Sequence, residues 1–274
     1  MRSTENSILR IGILAASIHW TLAAGATAAA AQTPTRQQQE WGSISRLPNF
    51  WEGTWQGVSD LYLFPDPVTW TPAAAQYVAS YKAKPIDDTP FANCMNPGMP
   101  FVMNIAAMPI KFLPSPGLIT IYIEGFGVSR FIHTDGRKIE PEPNPTYYGT
   151  SVGHWEGDTL VVDSRGFVKE TLLQIGQLPP AGVSPRPRPV FKEHGPNLRF
   201  VERMRMKDFN TLEITTTIYD DTIFAKPYES TRYWHRHTDR LSEPQEWVCS
   251  DNRDFYDNDS GVLEHNVKEK AISR

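Results

Sequence analysis

The sequence predicts a mainly β protein: an antiparallel closed barrel, lipocalin-like or similar, with one N-terminal helix and long proline-rich loops. Three observations predict it. About eight short stretches with period-two alternation of apolar residues lie between turn signals. Twenty-three prolines and 11% aromatic residues exceed what a helical protein uses and suit structured loops over an aromatic-lined core. No internal repeat indicates a propeller, and closure removes the edges that an open sheet of this size would expose.

Taken in order, the chain begins with Arg2 and Arg10 ahead of an apolar run from Ile11 to about Ala24, then small residues through Ala31. That layout is a signal peptide. The run is short and broken by His19 and Trp20, which argues against a membrane anchor. Residues 1–31 therefore read as a leader and 32–274 as one barrel domain, periplasmic or secreted and free of the membrane after cleavage. The formal net charge of -4 disfavours nucleic acid as a partner. In an oxidising compartment Cys94 and Cys249 form a disulfide, the preferred reading, or remain two buried thiols.

Thr33 to Glu40 is polar and reads as a loose leader, after which Phe50-Trp51-Glu52-Gly53-Thr54-Trp55 reads as a first strand with aromatics plugging one barrel end. Thr71-Pro72 is a cap followed by a first-turn proline and predicts a helix over Ala73 to Ala83. Prolines 100, 109, 114 and 116 confine the next segment to edges and turns. Alternating isoleucines mark a strand from Leu118 to Glu124, and Gly125-Phe126-Gly127 turns into another from Val128 to His133. Proline-rich Glu140 to Tyr148 then bridges to a hairpin: Tyr148 to Trp155, a Glu156-Gly157-Asp158 turn, and Thr159 to Asp163. Between Gln174 and Pro196 the prolines predict a long loop serving as lid, binding loop or oligomer arm, which leaves homo-oligomerisation open. A second hairpin joins Leu198–Met206 to Leu212–Ile218, strands follow over Glu229–His237 and Gln245–Cys249, and the tail from Tyr256 is polar.

Three patterns bear on chemistry. Gly149-Thr150-Ser151-Val152-Gly153 has the spacing of a nucleophile elbow, but a strand and turn follow Ser151 where that motif needs a helix. His235-Arg236-His237 puts two imidazoles on one strand face, with no third ligand placed beside them by His133, His154 or Glu202 and no thiolate cluster, so no metal is assigned. No phosphate-cradling loop, dinucleotide fingerprint or haem attachment pair is present, and no cofactor is assigned. More informative are polar residues on half-buried strands: Arg130, His133, Asp163, Glu202, Arg203, Arg232, Tyr233 and His235. Glu202 shares its strand face with Leu198, Phe200, Met204 and Met206, so it sits in an apolar wall, where a carboxyl serves as a general acid or base. The competing reading is a structural Glu–Arg pair joining two strands.

The chain resembles a large family of exported bacterial proteins, mostly of unknown function, marked by a Ser-Val-Gly-x-Trp-Glu-Gly-Asp-Thr-Leu-Val-Val-Asp block. Here it is Ser151 to Asp163, accompanied by Cys94 with Gly98-Met99-Pro100, Asp135-Gly136-Arg137, Gly166-Phe167, Glu202-Arg203, and Cys249 with Asn252. Thr150 stands where the family pattern has histidine, and Ser164 where it often has threonine. His194 falls where relatives often carry a histidine ahead of the Glu-Arg strand. The resemblance implies a barrel-like β fold and, for some members, action on plant-derived or lignin-like aromatics.

These readings lead to a cofactor-independent lyase or isomerase acting on a small phenolic substrate, in one form a lignin-derived dimer that releases formaldehyde. Glu202, His133, His194 or His235 would move the proton. Arg130 and Arg203 would hold a phenolate or carboxylate, with Trp155, Tyr122, Tyr233, Trp234 and Asp163 completing the binding site. The alternative is a lipocalin-like carrier of aromatic or apolar small molecules that performs no chemistry.

Overall fold

The computed structural model describes residues 36–58, 68–81, 96–104, 108–178, 188–239, 243–247, 254–257 and 262–265. Residues 1–31, both cysteines and the proline-rich stretch 179–187 lie outside these residues, and so do the signal-peptide and disulfide readings. Among the described residues no helix is long and apolar enough to cross a membrane.

Helix α1, Arg36–Ile44, forms where a loose leader was expected. Its first turns are arginine, glutamines and glutamate, unbranched side chains that lose little rotamer freedom in a helix. Strand β1, Thr54–Gly57, follows. Helix α2, Pro72–Ser80, starts as its sequence dictates: Thr71 Oγ1 accepts from the Ala74 amide at 3.2 Å and Pro72 fills the first turn. It stops at Ser80, and Tyr81 is already extended. A 3-10 turn over Phe101–Asn104 precedes β2, Ile110–Ser115, β3, Leu118–Ile123, and β4, Val128–His133.

The central hairpin is β5, Thr150–Glu156, and β6, Thr159–Arg165, turning through Gly157-Asp158. Strands β7, Leu172–Leu178, and β8, Arg188–Glu193, pair as a separate two-stranded sheet, so both ends of the expected long loop are ordered. Then come β9, Arg199–Asp208, β10, Thr211–Tyr219, and β11, Tyr228–His237. The expected strand at Gln245–Cys249 is absent from 243–247; Gln245 instead donates its amide to Glu124 Oε2 at 2.7 Å. A small hairpin of β12, Asp254–Asp257, and β13, Val262–His265, forms in the stretch read as polar tail.

Nine strands close a barrel in the order β1-β11-β10-β9-β6-β5-β4-β3-β2. Eight junctions are antiparallel. The ninth, β4 with β5, is parallel, pairing Ile132 with Ser151 and His133 with Val152. The barrel is therefore mixed. The chain between these strands carries Pro141, Pro143 and Pro145, which keep it out of the ladder, and the register sets the first residues of β5 beside the last residues of β4.

Aromatics plug one end of the barrel, as the sequence predicts. Phe50 is fully buried and packs 5.6 Å from both Phe112 and Trp155, and Trp55 donates its indole N–H to the Phe50 carbonyl at 2.9 Å. The opposite end is capped by segment 96–104 and by α2. Thr71 donates its amide to Ile223 O at 3.0 Å, and Trp70 stacks on Phe224 at 5.6 Å.

Candidate functional site

Strand parity decides which side chains enter the barrel. From β4, Arg130 points inward two positions before Ile132; from β5 and β6 come Ser151 and Ser164; from β9 comes Glu202, two beyond Phe200. These four polar residues are at least 98% buried. The Arg130 guanidinium grips Glu202 with both outer nitrogens: Nη1 donates to Oε1 at 3.0 Å, and Nη2 makes a shorter contact with Oε2. Nη2 also donates to Ser164 Oγ at 3.0 Å, Nε reaches Ser151 Oγ at 3.4 Å, and the two hydroxyls are 2.8 Å apart. The Phe200 ring lies under the guanidinium at 5.7 Å. A charge pair in an apolar interior survives only with such full hydrogen bonding.

Glu202 also faces a cavity toward the capped end, lined by Pro100, Met103, Glu202, Ile214, Thr216, Arg232 and Trp234. Register builds it: Glu202 pairs with Thr216, Thr216 with Ser230, and Ile214 with Arg232. The cavity is small, with room for about one water molecule. Burial lowers the Arg232 pKa, with the Tyr228 phenol opposing, yet a guanidinium starts so high that it stays charged. One wall is thus cationic, one carries an indole, and the roof is the Pro100–Met103 turn.

The residues predicted from sequence separate by face. Glu202, Arg130 and Trp234 point inward and come together. Trp155 also points inward but joins the aromatic plug. Adjacent residues on a strand face opposite ways, so Arg203 cannot join Glu202, nor Tyr233 join Trp234. Arg203 is outside, 2.8 Å from Glu156, and Tyr233 is exposed with Lys207 Nζ 4.5 Å over its ring. His235 is exposed on the same outer face of β11. His133 is half-buried on the outer face of β4; burial and then Arg137 lower its pKa, with Asp135 opposing. Tyr122 and Asp163 also lie on the outside, Asp163 held by Arg199 Nε and Nη2 at 2.9 Å each. His194 sits beyond β8, its ring between two backbone carbonyls.

Sequence reasoning assigned no role to Thr216, to the Met103 and Pro100 roof, or to Ser151 and Ser164 as partners of Arg130. The two serines carried a signal: each has interior parity, in step with Gly153 and Val162 respectively. Ser151 is an acceptor inside a strand, not a nucleophile on an elbow. Among the described residues, no three His, Cys, Asp or Glu side chains gather to hold a metal ion.

No family model matches this chain, and neither a curated protein nor a solved structure shows significant similarity to it.

Proposed function

We propose that this protein is an exported, lipocalin-like binding protein that takes a small anionic aromatic molecule, a phenolate or aromatic carboxylate, into the capped end of its barrel. One observation carries the reading: Arg232 and Trp234 line the same cavity, so a cation and an indole face are offered side by side with Met103 and Ile214. A ligand larger than water enters by displacing the Pro100–Met103 roof. Titration with 4-hydroxybenzoate should quench tryptophan fluorescence saturably, and Arg232→Met should weaken that binding about tenfold or more while leaving a neutral aromatic alcohol unaffected. Absence of saturable quenching by aromatic acids would overturn the reading.

The second reading adds chemistry at the same place: a cofactor-independent lyase or isomerase in which Glu202 moves a proton on a phenolic substrate. It is favoured by Glu202 being, among the described residues, the one carboxylate that lines the cavity. Both Glu202 oxygens are bound to Arg130, which favours the binding reading over it. Mass spectrometry separates the two. A new product whose formation falls about a hundredfold in Glu202→Gln supports catalysis; recovery of unchanged ligand supports binding alone.

A further inference from the structure

Three polar side chains cross the inner wall of the barrel in one row. Glu202 of β9 pairs with Thr216 of β10, and Thr216 pairs with Ser230 of β11. Ser230 points inward by the alternation that also buries Tyr228, Trp234 and Arg236 on the same strand. Glu202 and Thr216 line the cavity, and so does Arg232, two positions beyond Ser230 on β11. The cavity therefore touches the neighbours of Ser230 both across the ladder and along the strand.

Ser230 is the member of this row with an unmade hydrogen bond. It is 7% exposed, and among the described residues its Oγ has no partner. Ser151 and Ser164, equally buried in the barrel, differ: both bond Arg130, and they bond each other. Buried hydroxyls in folded proteins are paired with few exceptions, so one left open beside a cavity marks where an incoming polar group completes it. Glu202 limits which group enters the row. Carboxylate oxygens only accept, so an anionic oxygen against them has no hydrogen bond to make, whereas the Arg232 guanidinium only donates and suits an anion. A neutral hydroxyl suits Ser230, whose own hydroxyl both donates and accepts.

We infer that the ligand of this cavity is a hydroxylated aromatic carboxylate, and that Ser230 is the residue that selects the hydroxyl. The carboxylate pairs with Arg232, the ring lies against Trp234, and the hydroxyl bonds to Ser230 Oγ beside Thr216. The inference rests on the binding proposed above and narrows it in two ways. The anionic group is a carboxylate and not a phenolate, because the row that receives the ring oxygen contains the acceptor-only Glu202. An unsubstituted aromatic acid is the poorer ligand, because it buries Ser230 unpaired. A site built to bond a hydroxyl discriminates against the analogue without one far more strongly than an apolar pocket discriminates by size.

Titration of tryptophan fluorescence with benzoate, 3-hydroxybenzoate and 4-hydroxybenzoate at neutral pH, where the phenol keeps its proton, tests it. In the wild-type protein at least one hydroxybenzoate should bind about tenfold or more tighter than benzoate. That ratio, and not the affinity alone, is the readout, because a purely structural role for Ser230 would leave it unmoved. Ser230→Ala should bring the ratio close to one. Thr216→Val, which keeps the branched shape and removes the neighbouring hydroxyl, should lower it in part. The wild-type ratio needs no variant to fold. Benzoate binding as tightly as both hydroxybenzoates, or a preference that persists in both variants, overturns the inference and leaves binding of aromatic acids standing. Failure of all three acids to quench removes the binding proposal and this inference with it.

Discussion

Arg130 and Glu202, 72 positions apart in sequence, meet inside the barrel as a two-pronged ion pair whose remaining hydrogen bonds go to Ser151 and Ser164. Removing one partner leaves the other charge buried and unpaired. Arg130→Met should lower unfolding free energy by about 3 to 5 kcal/mol, whereas joint replacement with Glu202→Leu should restore most of it. Urea unfolding of the three variants measures this. A double variant no more stable than the single one would mean that the hydroxyl network, not the charge pair, sets the cost.

Arg236 clamps the plugged end. Its fork donates to three backbone carbonyls, Phe209 at 2.9 Å and Glu52 and Asn49 at 2.8 Å each, and its plane sits 4.6 Å from the Trp55 ring. Lysine keeps the charge and loses the planar fork. Arg236→Lys should cost about 2 to 4 kcal/mol and expose the β1 amides to exchange first. A change below about 0.5 kcal/mol would show that the clamp adds nothing to closure.

Gly98 has φ +68°, in the left-handed region, with Thr171 and Tyr147 against it. A side chain there is strained and has no space. Gly98→Ala should unseat the roof, lowering stability by about 1 to 3 kcal/mol and, on the proposed binding function, accelerating entry and release of an aromatic acid in stopped-flow fluorescence. Unaltered rates would contradict entry through the roof.

Asp163 gives a dependence on acid. Burial alone raises its carboxyl, but the Arg199 hydrogen bonds and charge, followed by those of Arg165, outweigh it and hold the group below its ordinary value. With the folded value below the unfolded one, the stabilisation is complete above the unfolded carboxylate value of about 4 and fades as pH falls toward the depressed one. Asp163→Asn should flatten that part of the stability curve and cost about 1 to 2 kcal/mol at neutral pH. Parallel acid curves for the two proteins would contradict it.

Most barrel strands are legible in the sequence alone, because alternation, paired turn residues and prolines are local signals. It placed β3, β4, the β5–β6 hairpin, the β9–β10 hairpin and the capped start of α2, and it marked Phe50 and Trp55 as a plug and Glu202 as an interior carboxylate. Local signals were too weak for α1 and for the β7–β8 and β12–β13 pairs, where prolines or polar residues hid short ladders. Direction and partnership depend on how distant strands close the barrel and are not written in any local stretch. Proline-rich 140–145 shows that the chain leaves the sheet, but whether it returns parallel depends on which barrel end it reaches. Alternation states that Arg203 opposes Glu202 in facing, yet only closure and shear determine which interior residues from distant strands share a level. That is why Arg130, Ser151, Ser164 and Glu202 converge, why Arg232 and Trp234 face one small cavity, and why His133, His235, Tyr233 and Asp163 remain outside.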